Sequence, residues 1–247
     1  MKALILAGGR GSRMENHSAA RNKCMLELGG RPLIQYSLDH CASIHPEEIV
    51  IVVGYLAEQI INHFGNSYAG MRIRYAIQPE QRGLVHAIET AAPFLEGSDF
   101  MLFLADEILL EPNHHAMIAS FEQGGVFALC GVTVPEDPYA VRKTYAVLED
   151  QRGRILRLVE KPRKPLNQYQ GTGNILLSNG ILDYIAGTPI NQLRKEKELP
   201  DLIQCAIDDG HVVKSFPVGG RYVNVNLPAD IQEAEAGLEL EHSGQTR

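Results

Sequence analysis

Three kinds of group gather within the first 23 residues of this chain, and together they suit a polyphosphate. Gly8, Gly9 and Gly11 sit in the stretch Leu6-Ala7-Gly8-Gly9-Arg10-Gly11-Ser12-Arg13. Without Cβ atoms in the way, successive backbone N–H groups there can approach an anion and form a cationic hollow. Arg13 and Lys23 add two positive charges to the same bend. Two better-known phosphate loops do not fit. The dinucleotide pattern G-x-G-x-x-G matches Gly9 and Gly11 but needs glycine where Met14 stands, and no Gly-Lys-Ser/Thr triplet supplies a Walker A loop. Taken alone, the segment is also compatible with a tight strand-to-loop turn carrying surface cations.

The elements that must position this loop follow from hydrophobic patterning. An apolar run over residues 3–7 predicts a buried strand that empties into the glycine bend. Further strands are predicted over 49–53, 71–77, 100–104 and 126–134, with helical patterns over 55–64, 83–95 and 115–122. Such alternation implies an α/β fold with a mostly parallel sheet covered on both faces. Ligands of such sheets sit beyond the carboxyl ends of the strands, so the glycine loop, Gln78, Asp106 and Pro135 should share one rim. After Pro135 the pattern changes to a hairpin over 145–149 and 154–159, a loop over 161–166 and a strand over 173–177. A helix over 199–209, a strand over 212–217 and a helix over 229–240 follow, with a polar, fraying tail over 241–247. The hairpin region is expected to form a smaller β-rich sub-domain at the sheet edge, covering the substrate.

The 247 residues are 45% hydrophobic and 21% charged, ordinary for a globular chain able to bury a large core. A net charge of −7 argues against a nucleic-acid surface and leaves any anion to a local cationic pocket. No apolar run reaches the length of a membrane helix, and the N-terminal apolar segment is too short for a signal peptide. Cys24, Cys41, Cys130 and Cys205 are widely spaced, which fits a reducing cytoplasm and neither a zinc site nor a disulfide framework. Cys24 reads as a small buried packing residue, and His114-His115 as surface histidines.

Six blocks in order resemble the sugar-phosphate nucleotidyltransferases, enzymes that join a nucleoside triphosphate to a sugar 1-phosphate. The loop from Leu6 to Arg13 is similar to L-A-G-G-x-G-T/S-R, and Lys23 with Leu28-Gly-Gly-Arg-Pro-Leu-Ile34 to a second block, K-x-x-x-x-x-x-G-x-P-L-I. Gln78-Pro-Glu-Gln-Arg-Gly-Leu-Val-His-Ala87 resembles the thymidylyltransferase pattern Q-P-x-x-x-G-L-A-x-A. Leu104-Ala-Asp-Glu107 stands for L-x-G-D, Glu160-Lys-Pro162 for E-K-P, and the run from Tyr222 to Ile231 for W-x-D/N-x-x-T-P-x-D-L.

The resemblance implies a Rossmann-like, three-layer (GT-A-like) nucleotidyltransferase domain over residues 1–240. Its nucleotide-binding part would span 1–135 and its mainly sugar-binding part 136–240. Implied catalytic residues are Arg13, Lys23 and Asp106. Arg13 would neutralise the departing pyrophosphate, Lys23 would meet the α-phosphate region, and Asp106 with Asn224 would hold Mg²⁺. Nucleotide contacts would come from Leu6, Ala7, Gly8, Gly9, Gly11, Ser12, Gln78 and Gly83, with Gln78 reading a uracil or thymine edge. Sugar-phosphate contacts would come from Tyr145, Ala146, Glu160, Lys161, Thr172 and Asn174. The bland alternatives are a helix cap for Arg13, a solvated surface lysine for Lys23, an N-cap for Asp106, a loop glutamine for Gln78 and an exposed ion pair for Glu160 and Lys161.

Departures from the pattern cluster on the sugar side. Ala105 replaces a glycine before the implied metal ligand, Tyr145-Ala146-Val147 stands for Y-G-V, and Gly171-Thr-Gly-Asn174 is an ambiguous match to N-T-G. Asn224 replaces the aspartate of many relatives, keeping an amide oxygen but no charge. The implied reaction is Mg²⁺-dependent transfer from dTTP or UTP to a sugar 1-phosphate, with no nucleic-acid or membrane partner. Glu107, beside Asp106, should point elsewhere and support the site. Other phosphorylated acceptors, such as cyclitol or amino-sugar phosphates, remain open, as do a homo-oligomer and a catalytically lapsed nucleotide-binding regulator.

Overall fold

The computed structural model describes residues 1–11 and 21–244. Strand β1 (Lys2–Ala7) is followed by the short pair β2 (Glu27–Leu28) and β3 (Arg31–Pro32), then α1 (Leu33–Ser43). Next come β4 (Ile49–Val53), α2 (Ala57–Phe64), β5 (Ser67–Tyr68), β6 (Met71–Ile77), α3 (Leu84–Leu95) and β7 (Phe100–Leu104). A three-residue strand β8 (Glu107–Leu109) precedes α4 (His114–Glu122) and β9 (Ala128–Thr133). The remainder comprises β10 (Tyr145–Glu149), β11 (Ile155–Glu160), β12 (Gln170–Leu177), α5 (Leu199–Asp208), β13 (Val213–Pro217), β14 (Tyr222–Asn224) and α6 (Pro228–Gly244).

The centre of the sheet, β7-β1-β4-β6, is parallel, with Ile5 opposite both Ile51 and Phe103. Period-two alternation sends Leu4 and Leu6 to one face of β1 and Ala3, Ile5 and Ala7 to the other. Helices α3 and α5 cover the first face through Val85, Ile88, Leu202 and Ile203. Helices α1, α2 and α4 cover the second through Leu38, Ile60 and Met117. The result is the expected three-layer α/β sandwich. Each fully buried aliphatic side chain contributes roughly 1.5–3 kcal/mol of burial free energy.

Four features differ from the expectations. The hairpin β10–β11 is an edge of the same ten-stranded sheet, because antiparallel β12 pairs with β7, β9 and β10. Helix α1, which was not anticipated, follows directly on Pro32 and buries Leu33, Ile34, Leu38 and Cys41. Helix α6 continues to Gly244, through most of the expected tail. His114 is buried against Phe103 and His40 rather than at the surface, and burial lowers its pKa to about 4, leaving it neutral. No described helix is long and apolar enough to cross a membrane.

Candidate active site

A cleft of about 340 Å³ opens at the carboxyl ends of β1, β6 and β7. Leu6, Ala7, Gly8, Gly9 and Gly11 line it, together with Lys23, Gln78, Gly83, Asp106, Glu160, Lys161 and Asn224. The expected rim therefore exists, except that Pro135 lines a neighbouring cavity. Ser12 and Arg13 lie outside the described residues.

The glycines are dictated by close approach. Gly11 has φ +63°, and a Cβ there would come 2.7 Å from Lys23 Cβ. A Cβ on Gly8 would stand 2.4 Å from Gln78 Oε1. Only at such bare backbone can the loop pack against both side chains.

Lys23 is fixed by its neighbour. The Asn22 side chain accepts from Cys24 N (2.8 Å) and donates to Tyr55 O (2.6 Å), capping the single turn Lys23–Met25. Lys23 itself is 7% exposed, so it is not a solvated surface lysine. Its Nζ donates to Asp106 Oδ2 at 2.5 Å and to Asn226 Oδ1 at 3.3 Å. Asp106 leads into β8, not a helix, which removes its reading as an N-cap.

Asp106 and Asn224 are brought together by a ribbon separate from the main sheet. Strands β8 and β14 pair with Glu107 opposite Asn224, and Val225 N donates to Asp106 O (2.9 Å). Asn224 Oδ1 accepts from the Asn226 amide. Glu107 points away from the cleft and is buried, accepting from Tyr222 Oη (2.5 Å), Gly173 N (2.8 Å) and Asn174 Nδ2 (3.4 Å). Burial pushes its pKa up to about 8 against the lowering effect of the Tyr222 hydrogen bond.

Gln78 is also buried; its amide nitrogen is 2.8 Å from His86 Nδ1 and 3.5 Å from Gly83 O. Also lining the cleft, Lys161 pairs with Glu160 (3.1 Å), and Arg194 bridges Glu160 (3.8 Å) and Glu198 (3.1 Å). Burial raises the pKa of Glu160, opposed by Lys161. Burial first, then repulsion from Glu160, lifts Glu198 to about 7.

Four expected sugar contacts are not at the cleft surface. Tyr145, Ala146, Thr172 and Asn174 are buried and line neither this cleft nor its neighbour. Tyr145 Oη donates to Thr172 O (3.0 Å), Thr172 Oγ1 to Gly131 O (3.1 Å), and Asn174 Oδ1 is 2.9 Å from His114 Nε2. The hydroxyls of Tyr145 and Thr172 are taken by neighbouring strands, and the amide of Asn174 by His114 and Glu107.

Other cleft residues were not anticipated: Gln81, Lys143, Glu196, Glu198 and Asn226. Asn226 lies inside the block from Tyr222 to Ile231, which was its available signal. Glu196 and Glu198 alternate with lysines and read as a charged surface. Lys143 Nζ is held by Asp230 Oδ1 at 2.8 Å. Burial would raise the Asp230 pKa, but Lys143 and the amides of Asn226 and Leu227 outweigh it and lower the value.

The donor set can be tested against magnesium. No group of three or more His, Cys, Asp or Glu is clustered for a metal among the described residues. One carboxylate and one amide oxygen lining one cleft nevertheless suit Mg²⁺, which keeps water and, where phosphates are bound, takes their oxygens as further ligands. Asp106 and Asn224 fit as the protein's share of such a site.

A family model described as Nucleotidyl transferase matches residues 2–223. Over 247 residues the chain is 31% identical to the UTP–glucose-1-phosphate uridylyltransferase AglF of Haloferax volcanii, covering 100% of both chains. It is 28% identical over 236 residues to a glucose-1-phosphate thymidylyltransferase of Streptomyces griseus, covering 94% of this chain and 64% of that one. A solved UDP-glucose pyrophosphorylase complexed with UDP-glucose shares the fold, with TM-score 0.84 at 20% identity over 97% of this chain and 98% of that one. Glycine loop, buried lysine and rim aspartate thus sit in a chain whose match runs almost from end to end, and the protein belongs to the nucleotidyl transferase family.

Proposed function

We propose that this nucleotidyltransferase joins a pyrimidine nucleoside triphosphate, UTP or dTTP, to a sugar 1-phosphate and releases pyrophosphate. An acceptor phosphate oxygen attacks the α-phosphorus, the bond to the β-phosphate oxygen breaks, and pyrophosphate leaves with the electron pair. Such a step needs alignment and charge neutralisation more than covalent help. The observation that carries the reading is the convergence of Gly8, Gly11, Lys23, Gln78 and Asp106 on one cleft.

The glycine loop's amides would cradle the triphosphate, and Lys23 would offset charge developing at the α-phosphate. Gln78, buried beside Gly8, supports the assignment of the base to its neighbourhood. Glu160 and Lys161 line the same cleft, where an acceptor's hydroxyls and phosphate would be gripped. Asp106 and Asn224 would hold Mg²⁺, which when bound supplies positive charge to the phosphate oxygens. The relatives' names support a pyrimidine triphosphate, one being a uridylyltransferase and another a thymidylyltransferase.

The test is pyrophosphate release by the purified chain with Mg²⁺, each of the four NTPs in turn, dTTP, and a panel of acceptors led by glucose 1-phosphate. Turnover with UTP or dTTP is expected. Silence with every pyrimidine triphosphate across the panel would overturn the reading, and tight nucleotide binding without turnover would favour a regulatory protein instead.

A further inference from the structure

Gln78 is the first residue past β6, and the sheet fixes its place: its backbone N donates to Val53 O at the end of β4 (2.7 Å). The residue is 3% exposed, so its amide must find partners inside the protein. Two acceptors stand near the amide nitrogen, His86 Nδ1 at 2.8 Å and Gly83 O at 3.5 Å. One belongs to the first turn of α3 and the other to the glycine that opens it. The amide oxygen stands over Gly8, 2.4 Å from where a Cβ would be. Gly8, Gln78 and Gly83 line the cleft and His86 does not, so His86 acts on a ligand through Gln78.

A second contact competes for the same ring. Arg82 Nη2 lies 2.8 Å from His86 Nε2. A guanidinium only donates, and a neutral imidazole accepts at one nitrogen and donates at the other, so the ring cannot accept from Gln78 and Arg82 together. Burial decides between them. The Arg82 side chain is 64% exposed, with Glu80 (3.6 Å) and water as other partners. Gln78 has no such exchange, and turning its amide over would set its oxygen against Gly83 O. The ring proton therefore belongs on Nε2, and Nδ1 accepts from Gln78.

We infer that His86 is a positioning residue: it fixes the Gln78 amide with its oxygen towards the cleft, so that an acceptor meets the nucleotide base. Uracil and thymine bring an N3–H donor to that edge, where cytosine brings a lone pair. The inference rests on reading Gln78 as the base contact of the proposed reaction. Its test is calorimetric titration of UTP and of CTP, with Mg²⁺, into the full chain and its His86 and Arg82 variants, alongside pyrophosphate release. The wild type should bind UTP at least about tenfold more tightly than CTP.

His86→Phe keeps a ring but no acceptor and frees the amide to turn, so the preference for UTP should fall at least about fivefold. His86→Asn returns an oxygen near the Nδ1 position, and Arg82→Ala removes only the competing donor; both should keep the preference within about twofold of wild type. His86→Ala decides the matter if His86→Phe fails to fold. Equal weakening of UTP and CTP, with their ratio unchanged, marks a merely structural contact and overturns the inference. So does a wild type that binds both equally, an asparagine variant no better than the phenylalanine one, or loss of the preference in Arg82→Ala. A preference that depends on His86, but without pyrophosphate release from any NTP, would sink the proposed reaction and leave the positioning role standing. Release with an unchanged ratio would do the reverse.

Discussion

Replacing Asp106 by alanine strands the Lys23 ammonium in a nearly closed wall, whereas replacing Lys23 by methionine leaves Asp106 within reach of water. The side-chain exposures, 8% for Lys23 and 27% for Asp106, set this asymmetry. Removing one partner of a fully buried ion pair costs about 3–5 kcal/mol. The amide oxygen of Asn226, 3.3 Å from Nζ, remains as a partner and lowers that figure. Asp106→Ala should therefore cost about 2–3 kcal/mol, and Lys23→Met about 1 kcal/mol because the carboxylate can hydrate. In a domain of this size each kcal/mol moves Tm by about 2–4 °C, so the two variants should melt roughly 4–12 °C and 2–4 °C below wild type.

The double variant Lys23→Met/Asp106→Ala should be no less stable than Asp106→Ala alone, a coupling of about 1–2 kcal/mol. Calorimetric melting of the four proteins measures it. Losses that simply add would refute a direct interaction between these groups. In the pyrophosphate assay each single variant should lower kcat/KM by at least about 10²-fold, near 2.7 kcal/mol of transition-state stabilisation. Wild-type kinetics in either would remove that residue from the mechanism.

Glu107→Gln tests the buried carboxyl behind the ribbon. Because the folded pKa is raised from 4.5 to about 8, its stabilising protonated form is complete below the lower value and lost as pH rises through the upper one. Glu107→Gln should gain on wild type by up to about 1.4 kcal/mol per pH unit across that window, read by urea unfolding; parallel stability curves would count against it. Gln78→Ala should flatten discrimination among the NTPs, and an unchanged ranking of kcat/KM would contradict its role in base reading. Gly11→Ala, placing a Cβ 2.7 Å from Lys23 Cβ at φ +63°, should destabilise by about 1–2 kcal/mol in chemical unfolding and raise the KM for NTP.

Long apolar runs were the legible part of the fold. Strands β4 and β7 have the bounds expected from sequence, because the apolar runs Ile49–Val53 and Phe100–Leu104 allow little alternative in a two-sided sheet; β6, Met71–Ile77, has them too, but carries two arginines and is only partly buried. The ribbon β8–β14 has three residues per strand, too few to display a period, yet it places the implied metal ligands. The glycine loop was legible because its chemistry lies in the backbone, and missing side chains are visible in sequence. Tyr145, Thr172 and Asn174 show the opposite case. Their types suit a sugar site, but whether a hydroxyl faces a ligand or a neighbouring strand is decided by the pairing of β12 with β9 and β10, which no local pattern encodes.

The same pairing bears on how the cleft is assembled. Gly173 N donates to Glu107, Tyr222 Oη donates to the same carboxyl, and Val225 N donates to Asp106 O. One buried side chain therefore ties the middle of β12 to both strands of the ribbon that carries Asp106 and Asn224. A shift of β12 would be felt at these two oxygens before it reached the glycine loop, which is held separately by β1 and Gln78. The glycine loop and the ribbon that carries Asp106 and Asn224 are thus built on different supports, joined directly by Lys23. Its aliphatic stem packs against Gly11 while its ammonium reaches Asp106, so the lysine couples the two halves of the cleft wall.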